Sequence, residues 1–406
     1  MSNITTAPFT YESLSQLTMK EGVLELQVGP AHAGSGHMRI LVWVEGDTVV
    51  KVDPDIGFVH RGVEKLSEDR LYVKAIPIVE RPNLVDTVNA NLGYIIALEK
   101  LLGLEAPPRA QYIRVITAEI SRIISHLYGI AIYGIFMGSS TVFMWALADR
   151  EPFIDIMEEL TGARLTYSHI IPGGVRWDLP KDFGERLEVA LKYLEGRVSD
   201  YEKIWMNNPV VRARAEGVGI LSGAKAIELG VVGPNLRASG VKCDVRKCAP
   251  YSVYSDFDFD VPTFKEGDSY ARLLIRVEEI KQSISILRQA LKNIPEGKII
   301  YEDYYKRMTP LMKSIYDEKG RVKFTSLLTS LSPPKGQSLS RVEGGRGEIF
   351  FYLISDGTKN PYRFRVVTPS FRNLPYFTHV MPGHKLADVP VIYGSIDYFP
   401  PEADRR

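Results

Sequence analysis

Residues 127–147, LYGIAIYGIFMGSSTVFMWAL, run for a membrane-spanning length without one charged side chain. Two structures suit such a stretch: a single transmembrane helix, or core helices that meet at a break. Gly129, Gly134 and Gly138 weaken one continuous helix, and Gly138-Ser139-Ser140-Thr141 reads as an interruption. The sequence therefore predicts two shorter buried helices joined near Gly138. Upstream, residues 86–102 have helical spacing and stop at Gly103, with Pro107 and Pro108 beyond. Residues 110–137 continue as helix, with Arg114, Glu119 and Arg122 expected along one polar edge. Downstream, helices are expected over residues 183–205 and 270–293, and residues 217–261, rich in Gly, Pro, Asp and Ser, read as irregular.

Both ends of the chain read as β. Apolar runs flank Glu45-Gly46-Asp47, and a second pair flanks Ser355-Asp356-Gly357; each is a hairpin signal. The expected class is α+β, a helical-bundle core with small β-sheets from the N- and C-terminal regions. Residues 1–60 form the β region, 61–300 the mainly helical core, and 301–406 an α/β region packing back on it as one integrated domain.

With 406 residues, 45% of them apolar, the chain is long enough for one large core. A net charge of +1 gives no reason to expect nucleic acid as a partner. Two cysteines, Cys243 and Cys248, are too few for a disulfide framework and suit a reducing compartment. The first residues lack a basic and then apolar pattern, so no signal peptide is expected.

No nucleotide or hydrolase signature is complete. Gly344-Gly345-Arg346-Gly347 is glycine-rich but precedes a strand rather than a helix, which argues against phosphate binding. His32 and His37 share the loop GPAHAGSGH, where glycines allow close approach of a ligand and an imidazole supplies a proton near neutral pH; composition alone favours a surface loop with incidental histidines. Arg61 and Arg81 suit either stabilisation of negative charge or structural pairing. Cys243 and Cys248 lack a second pair to complete a four-thiolate site.

Taken together, GPAHAGSGHMRI, DPDIGFVHRGVEKL, residues 107–114, LTGAR at 160–164, IPGGVRWDLP at 171–180, VGPNLRASGVKCDVRK and GHKLADVP with GSID and EADR resemble the D-type subunit of complex I, archaeal-type, and the related large subunits of [NiFe] hydrogenases. The resemblance spans nearly the whole chain and implies a [NiFe]-hydrogenase large-subunit-like fold. Hydrogenases hold nickel and iron through two C-x-x-C pairs, because such metals need soft thiolates. The matching positions here are Asn83, Asp86, Phe399 and Glu402, so the resemblance implies that this chain carries no such centre and no hydrogenase activity.

In the family the vacated place is a quinone site beside a partner's [4Fe-4S] cluster. The resemblance implies a catalytic histidine at His37 or His32. Asn83, Leu84, Phe136, Asp397 and Glu402 would line the quinone pocket, and Asp86 or Glu402 would supplement the proton supply. Leu84 stands where the family has a tyrosine, and Phe136 where it has the aspartate that partners the histidine. Arg61, Arg81 and Thr166 would lie next to the cluster, with Thr166 replacing a histidine. The implied chain binds no cofactor alone, takes quinone as substrate, and works only in complex, as an NADH-quinone oxidoreductase-type subunit. Its partners would be a cluster-bearing B-type subunit, a C-type subunit and membrane subunits, at the cytoplasmic side of the membrane. The donor, whether NADH, ferredoxin or a deazaflavin, would bind elsewhere. A sulfur- or polysulfide-reducing relative and a non-catalytic scaffold are the rival readings.

Overall fold

The computed structural model describes residues 22–31, 37–308, 315–323 and 331–404. Strands β1 (Val23–Val28), β2 (Arg39–Glu45) and β3 (Thr48–Asp55) form an antiparallel sheet in the order β1-β2-β3, with the expected turn at Gly46. Helix α1 (Thr87–Leu102) follows and ends on Gly103, whose φ of 62° supplies the left-handed cap. Helix α2 (Pro108–Phe136) starts with proline in its first turn, where the missing N–H costs nothing. Helices α3 (Ser140–Thr161), α4 (Phe183–Asp200) and α5 (Ser269–Asn293) complete the bundle. A second antiparallel sheet, β4 (Gly336–Gly344), β5 (Gly347–Ser355) and β6 (Arg363–Val367), lies against α1. There Ser340 Oγ donates to Gly93 O at 2.6 Å, and Gly93 sits so close to Phe351 that a Cβ would be 2.5 Å from its ring. Helix α6 (Val389–Ile396) then packs on both α2 and α5.

The uncharged stretch is helical on both sides of the expected interruption, but only its first part is interior: residues 127–134 are buried or half-buried, whereas Ile135 and Met144 are 42% and 62% exposed. α2 and α3 meet at Gly138, φ 79°, and Gly134 lets the two backbones close: a Cβ there would lie 3.2 Å from Phe143 N. α2 covers nearly the expected residues 110–137, and α3 continues beyond the uncharged run to Thr161. α2 is long and apolar enough to cross a membrane, yet 89% of its most apolar window is buried inside the protein.

One expectation needs correction. The polar edge expected of Arg114, Glu119 and Arg122 lies inside the protein; all three are buried. α2 is surrounded by other elements, so its charges are matched inside the bundle. Residues 217–261 are irregular as expected, with short helices at Gly223–Glu228, Pro234–Ala238 and Val245–Cys248. They bring buried Arg237, Asp244 and Arg246 to meet those charges. Glu119 accepts from Arg246 Nη1 at 3.0 Å, Tyr254 Oη at 2.6 Å and Ser283 Oγ at 2.6 Å. Burial pushes its carboxyl up, but Arg246 and Arg122 outweigh that and hold it below the usual range. Arg237 donates to Glu279 Oε1 at 2.7 Å and to Glu343 Oε1 at 2.8 Å.

Candidate acceptor site

Asn83 lies in the single turn Arg81–Asn83, Asp397 directly after α6, Arg346 in the β4–β5 hairpin turn, and Glu402 in the short helix Pro400–Ala403. The fold joins these four. Arg346 donates Nη1 to Asn83 Oδ1 at 3.0 Å, Nη2 to Asp397 Oδ1 at 3.1 Å and Nε to Asp397 O at 2.9 Å. Asn83 Nδ2 donates to Glu402 Oε1 at 3.1 Å, and Ser370 Oγ donates to Glu402 Oε2. Asp397 takes φ 55° and ψ 48°, which turns both its carbonyl and its carboxylate toward the guanidinium. Burial pushes the Glu402 carboxyl up to about 7 against the opposing pull of Arg346 and Ser370. A carboxyl poised there gives and takes a proton at working pH.

This arrangement does not suit a nickel–iron centre. The Arg346 guanidinium lies 5.0 Å from the Phe399 ring centroid, and its fixed positive charge opposes a metal dication. Asp86 is fully engaged, accepting from Asn89 Nδ2 at 2.6 Å, Ser121 Oγ at 2.8 Å and Gly345 N at 2.7 Å. Among the described residues no group of three or more His, Cys, Asp or Glu is arranged to hold a metal. Cys243 is half-buried and Cys248 exposed, both as free thiols. The glycine-rich segment 344–347 proves to be a hairpin turn; its arginine, which has no signature in the sequence, is the hub of the cluster.

The remaining candidates fall into two groups. Phe136 closes α2, meets the Tyr393 ring edge-on at 5.1 Å, and sits so close to Gly394 that a Cβ there would be 2.9 Å away. It shares an apolar layer with Met38, Ile396 and Tyr398. His37 is the residue before Met38; it is exposed, with φ 77°. His32 lies outside the described residues. Leu84, half-buried, follows Asn83 directly. The base of the histidine loop and Phe136 thus belong to the layer that carries Asp397 at its end.

Arg61, Arg81 and Thr166 gather on another face. Arg61 Nη2 donates to Arg81 O at 2.8 Å, and both side chains are exposed. Buried Glu80 ties this turn to the Thr166 loop, accepting from Ser168 N at 2.9 Å and Ser168 Oγ at 3.2 Å. The end of the described chain fastens the same face. Asp404 accepts from Gly57 N at 2.8 Å and Val59 N at 2.9 Å, and its carbonyl lies 3.0 Å from His60 Nδ1.

Glu80 gives a direct pH prediction. Burial raises its carboxyl from 4.5 to about 8, despite the Ser168 contacts. Unfolded, the group ionises near the lower value; folded, it holds its proton to the higher one. Between them the folded chain binds more protons, so this group makes stability fall as pH rises. Glu80→Gln keeps the contacts and removes the ionisation. Its melting temperature should gain on wild type steadily across that window and not below it. Parallel melting curves at all pH values would show that the carboxyl ionises normally.

A family model described as respiratory-chain NADH dehydrogenase, 49 Kd subunit, matches residues 137–405. A D-type NADH-quinone oxidoreductase subunit of Thermodesulfovibrio yellowstonii is 39% identical, over 94% of this chain and 96% of its own length. This chain belongs to that family. The D-type NADH-quinone oxidoreductase subunit of Syntrophobacter fumaroxidans is 40% identical over 95% of this chain and 97% of its own. A solved chain from the membrane-bound sulfane sulfur reductase, an archaeal respiratory membrane complex, superposes with a TM-score of 0.87 at 34% identity. The match covers 95% of this chain and 100% of that one. In this 49-kDa family member the matched range includes Arg346, Asp397 and Glu402, three of the four residues of the buried cluster.

Proposed function

We propose that the chain is the acceptor-site subunit of a complex I-like oxidoreductase docked on the cytoplasmic side of a membrane. Electrons leave a [4Fe-4S] cluster on a B-type partner and reduce a quinone, and C-type and membrane subunits complete the assembly and couple the reaction to ion translocation. Arg61 and Arg81 face the cluster, where their positive charge favours its reduced state; Thr166 flanks them. The quinone lies between the His32–His37 loop, Leu84 and Phe136, with Asn83, Asp397 and Glu402 behind. The chain turns over only within the complex. Membership of the 49-kDa family and the likeness to a chain of an archaeal respiratory membrane complex support this reading.

The observation that carries it is Glu402. Two-electron reduction of a quinone consumes two protons, and Glu402 is a buried carboxyl that holds one near neutrality where relatives with metal would need a thiolate. In the assembled complex, Glu402→Gln should lower turnover with short-chain quinones by about ten-fold or more and flatten its pH dependence around neutrality. Unchanged turnover and pH profile would remove Glu402 from the proton supply.

A second reading is favoured by the sulfane sulfur reductase likeness and by the apolar Leu84 and Phe136: a sulfur or polysulfide acceptor at the same place. Polysulfide reduction by the wild-type complex, without quinone reduction, selects it. Reduction of neither, with the partner cluster intact, selects a scaffold.

A further inference from the structure

The seam between α2 and α5 holds buried polar atoms that the protein itself does not satisfy. Asp397 Oδ2 and Arg276 Nε face each other at 4.0 Å, both buried, and neither makes a hydrogen bond. Gly129 borders the gap: a Cβ there would lie 2.9 Å from Asp397 Oδ2 and 3.3 Å from Arg276 Nε. One helical turn along, His126 Nε2 lies 2.9 Å from Glu279 Oε2, yet off the line of a well-directed bond, and His126 Nδ1 has no partner. His126 and Gly129 are three apart on α2, as Arg276 and Glu279 are on α5, so the two gaps stack along one interface. Beyond Glu279 the charged column continues through Arg237 to Glu343 and Asp244. Asp244 also lines a surface cavity of about 450 Å³ with Lys242, Lys247 and Cys248.

Buried polar groups without protein partners are satisfied by internal water, which needs room and two to four polar neighbours. The seam offers the polar neighbours, Asp397 Oδ2, Arg276 Nε, His126 Nδ1 and Glu279 Oε2, beside a glycine that places no side chain among them. We propose that a short file of water runs from Asp397 past Arg276 to the His126–Glu279 pair, and that it carries the protons consumed at the acceptor site inward from the Asp244 cavity. This rests on the quinone-reducing reading. Each quinone takes two electrons from the partner's cluster and two protons. In the relay, Asp397 Oδ2 accepts a proton from the bridging water. His126 Nδ1 restores that water, and His126 Nε2 regains its proton from water that enters beside Glu279 along the charged column; the Arg237 guanidinium stays protonated and carries none. Arg276 and Gly129 are positioning residues: one orients the water and the other leaves space for it.

The test uses the assembled complex with Gly129→Ala and Gly129→Ser. The alanine methyl takes the space of the bridging water without replacing its hydrogen bonds. The serine hydroxyl can accept from Arg276 and donate to Asp397. We expect Gly129→Ala to lower quinone turnover by about ten-fold with unchanged reduction of the partner cluster, and Gly129→Ser to keep most of it. A map of the wild-type complex that resolves water should show density between Asp397 and Arg276, lost in the alanine variant. Turnover of Gly129→Ala equal to wild type, or equal loss in both variants, overturns the relay. So does a dry gap in the wild-type map, whichever acceptor the complex reduces. Failure of the wild-type complex to reduce quinone overturns the functional reading instead, and the map then still decides whether the seam is wet.

Discussion

Arg237→Met is expected to destabilise the fold by about 3–5 kcal/mol, the usual result of removing one partner from a buried ion pair. Arg237 is completely buried and serves Glu279, Glu343 and the Cys243 carbonyl at once. Methionine matches its length but leaves two carboxylates without their cation in a low-dielectric interior, while Asp244 retains Arg246. Since whole domains are stable by only about 5–15 kcal/mol, this loss should appear as a large fall in melting temperature and in recovery of the subunit within the complex. The exposed Arg164, paired to Asp155 and Glu158 at 2.7 and 2.6 Å, provides the contrast. Arg164→Ala should cost less than about 1 kcal/mol, because water competes for such pairs. Adding Glu279→Met to the Arg237 variant should recover part of the loss. If Arg237→Met melts with wild type, the interior is wetter than its burial implies.

His37→Ala is expected to lower quinone turnover of the assembled complex by at least about ten-fold, the scale of losing an acid–base group. His37 is exposed at the start of β2 beside the apolar layer of Met38 and Phe136, and imidazole exchanges protons near neutral pH. Its φ of 77° complicates the alanine result, since alanine resists a left-handed backbone. Asparagine tolerates that region, so His37→Asn separates the two effects: a proton role predicts equal losses in both variants. Leu84→Tyr should be tolerated or change quinone preference. If His37→Ala and His32→Ala both turn over normally, protons reach the acceptor by another route or quinone is not the acceptor. Loss of quinone turnover in His37→Asn with polysulfide turnover retained would separate the two acceptors.

The periodic parts of the fold were legible in the sequence because local rules govern them. Gly103 after an apolar repeat, Gly46 between two strands and Gly138 within the uncharged run each mark a boundary that backbone geometry enforces. Two of the strands were less so: β1 lies before the histidine loop without a turn signal, and β4 was hidden because segment 344–347 reads as a loop of its own. The interior charges were not legible. Arg114, Glu119 and Arg122 read as one polar edge, and only partners on other elements, such as Glu99 for Arg114 and Arg246 for Glu119, reveal them as core. The same holds at the site. Asn83, Asp397 and Glu402 were named by resemblance, but their hub, Arg346, and the carboxyl of Glu80 carry no local signature, since each is defined by what long-range packing brings to it.

That long range also sets a timetable for biosynthesis. Arg346, Asp397, Glu402 and Asp404 are all made late, yet they hold Asn83, Gly57, Val59 and His60, made hundreds of residues earlier. A nascent chain emerging from the ribosome can form the α1–α2 hairpin by local contacts, but it cannot close the Arg346 cluster or fasten the Arg61 face until the segment beyond α6 is out. A cluster-bearing partner that recognises the fastened face would therefore meet only chains translated past Asp404, and maturation would be ordered by translation itself.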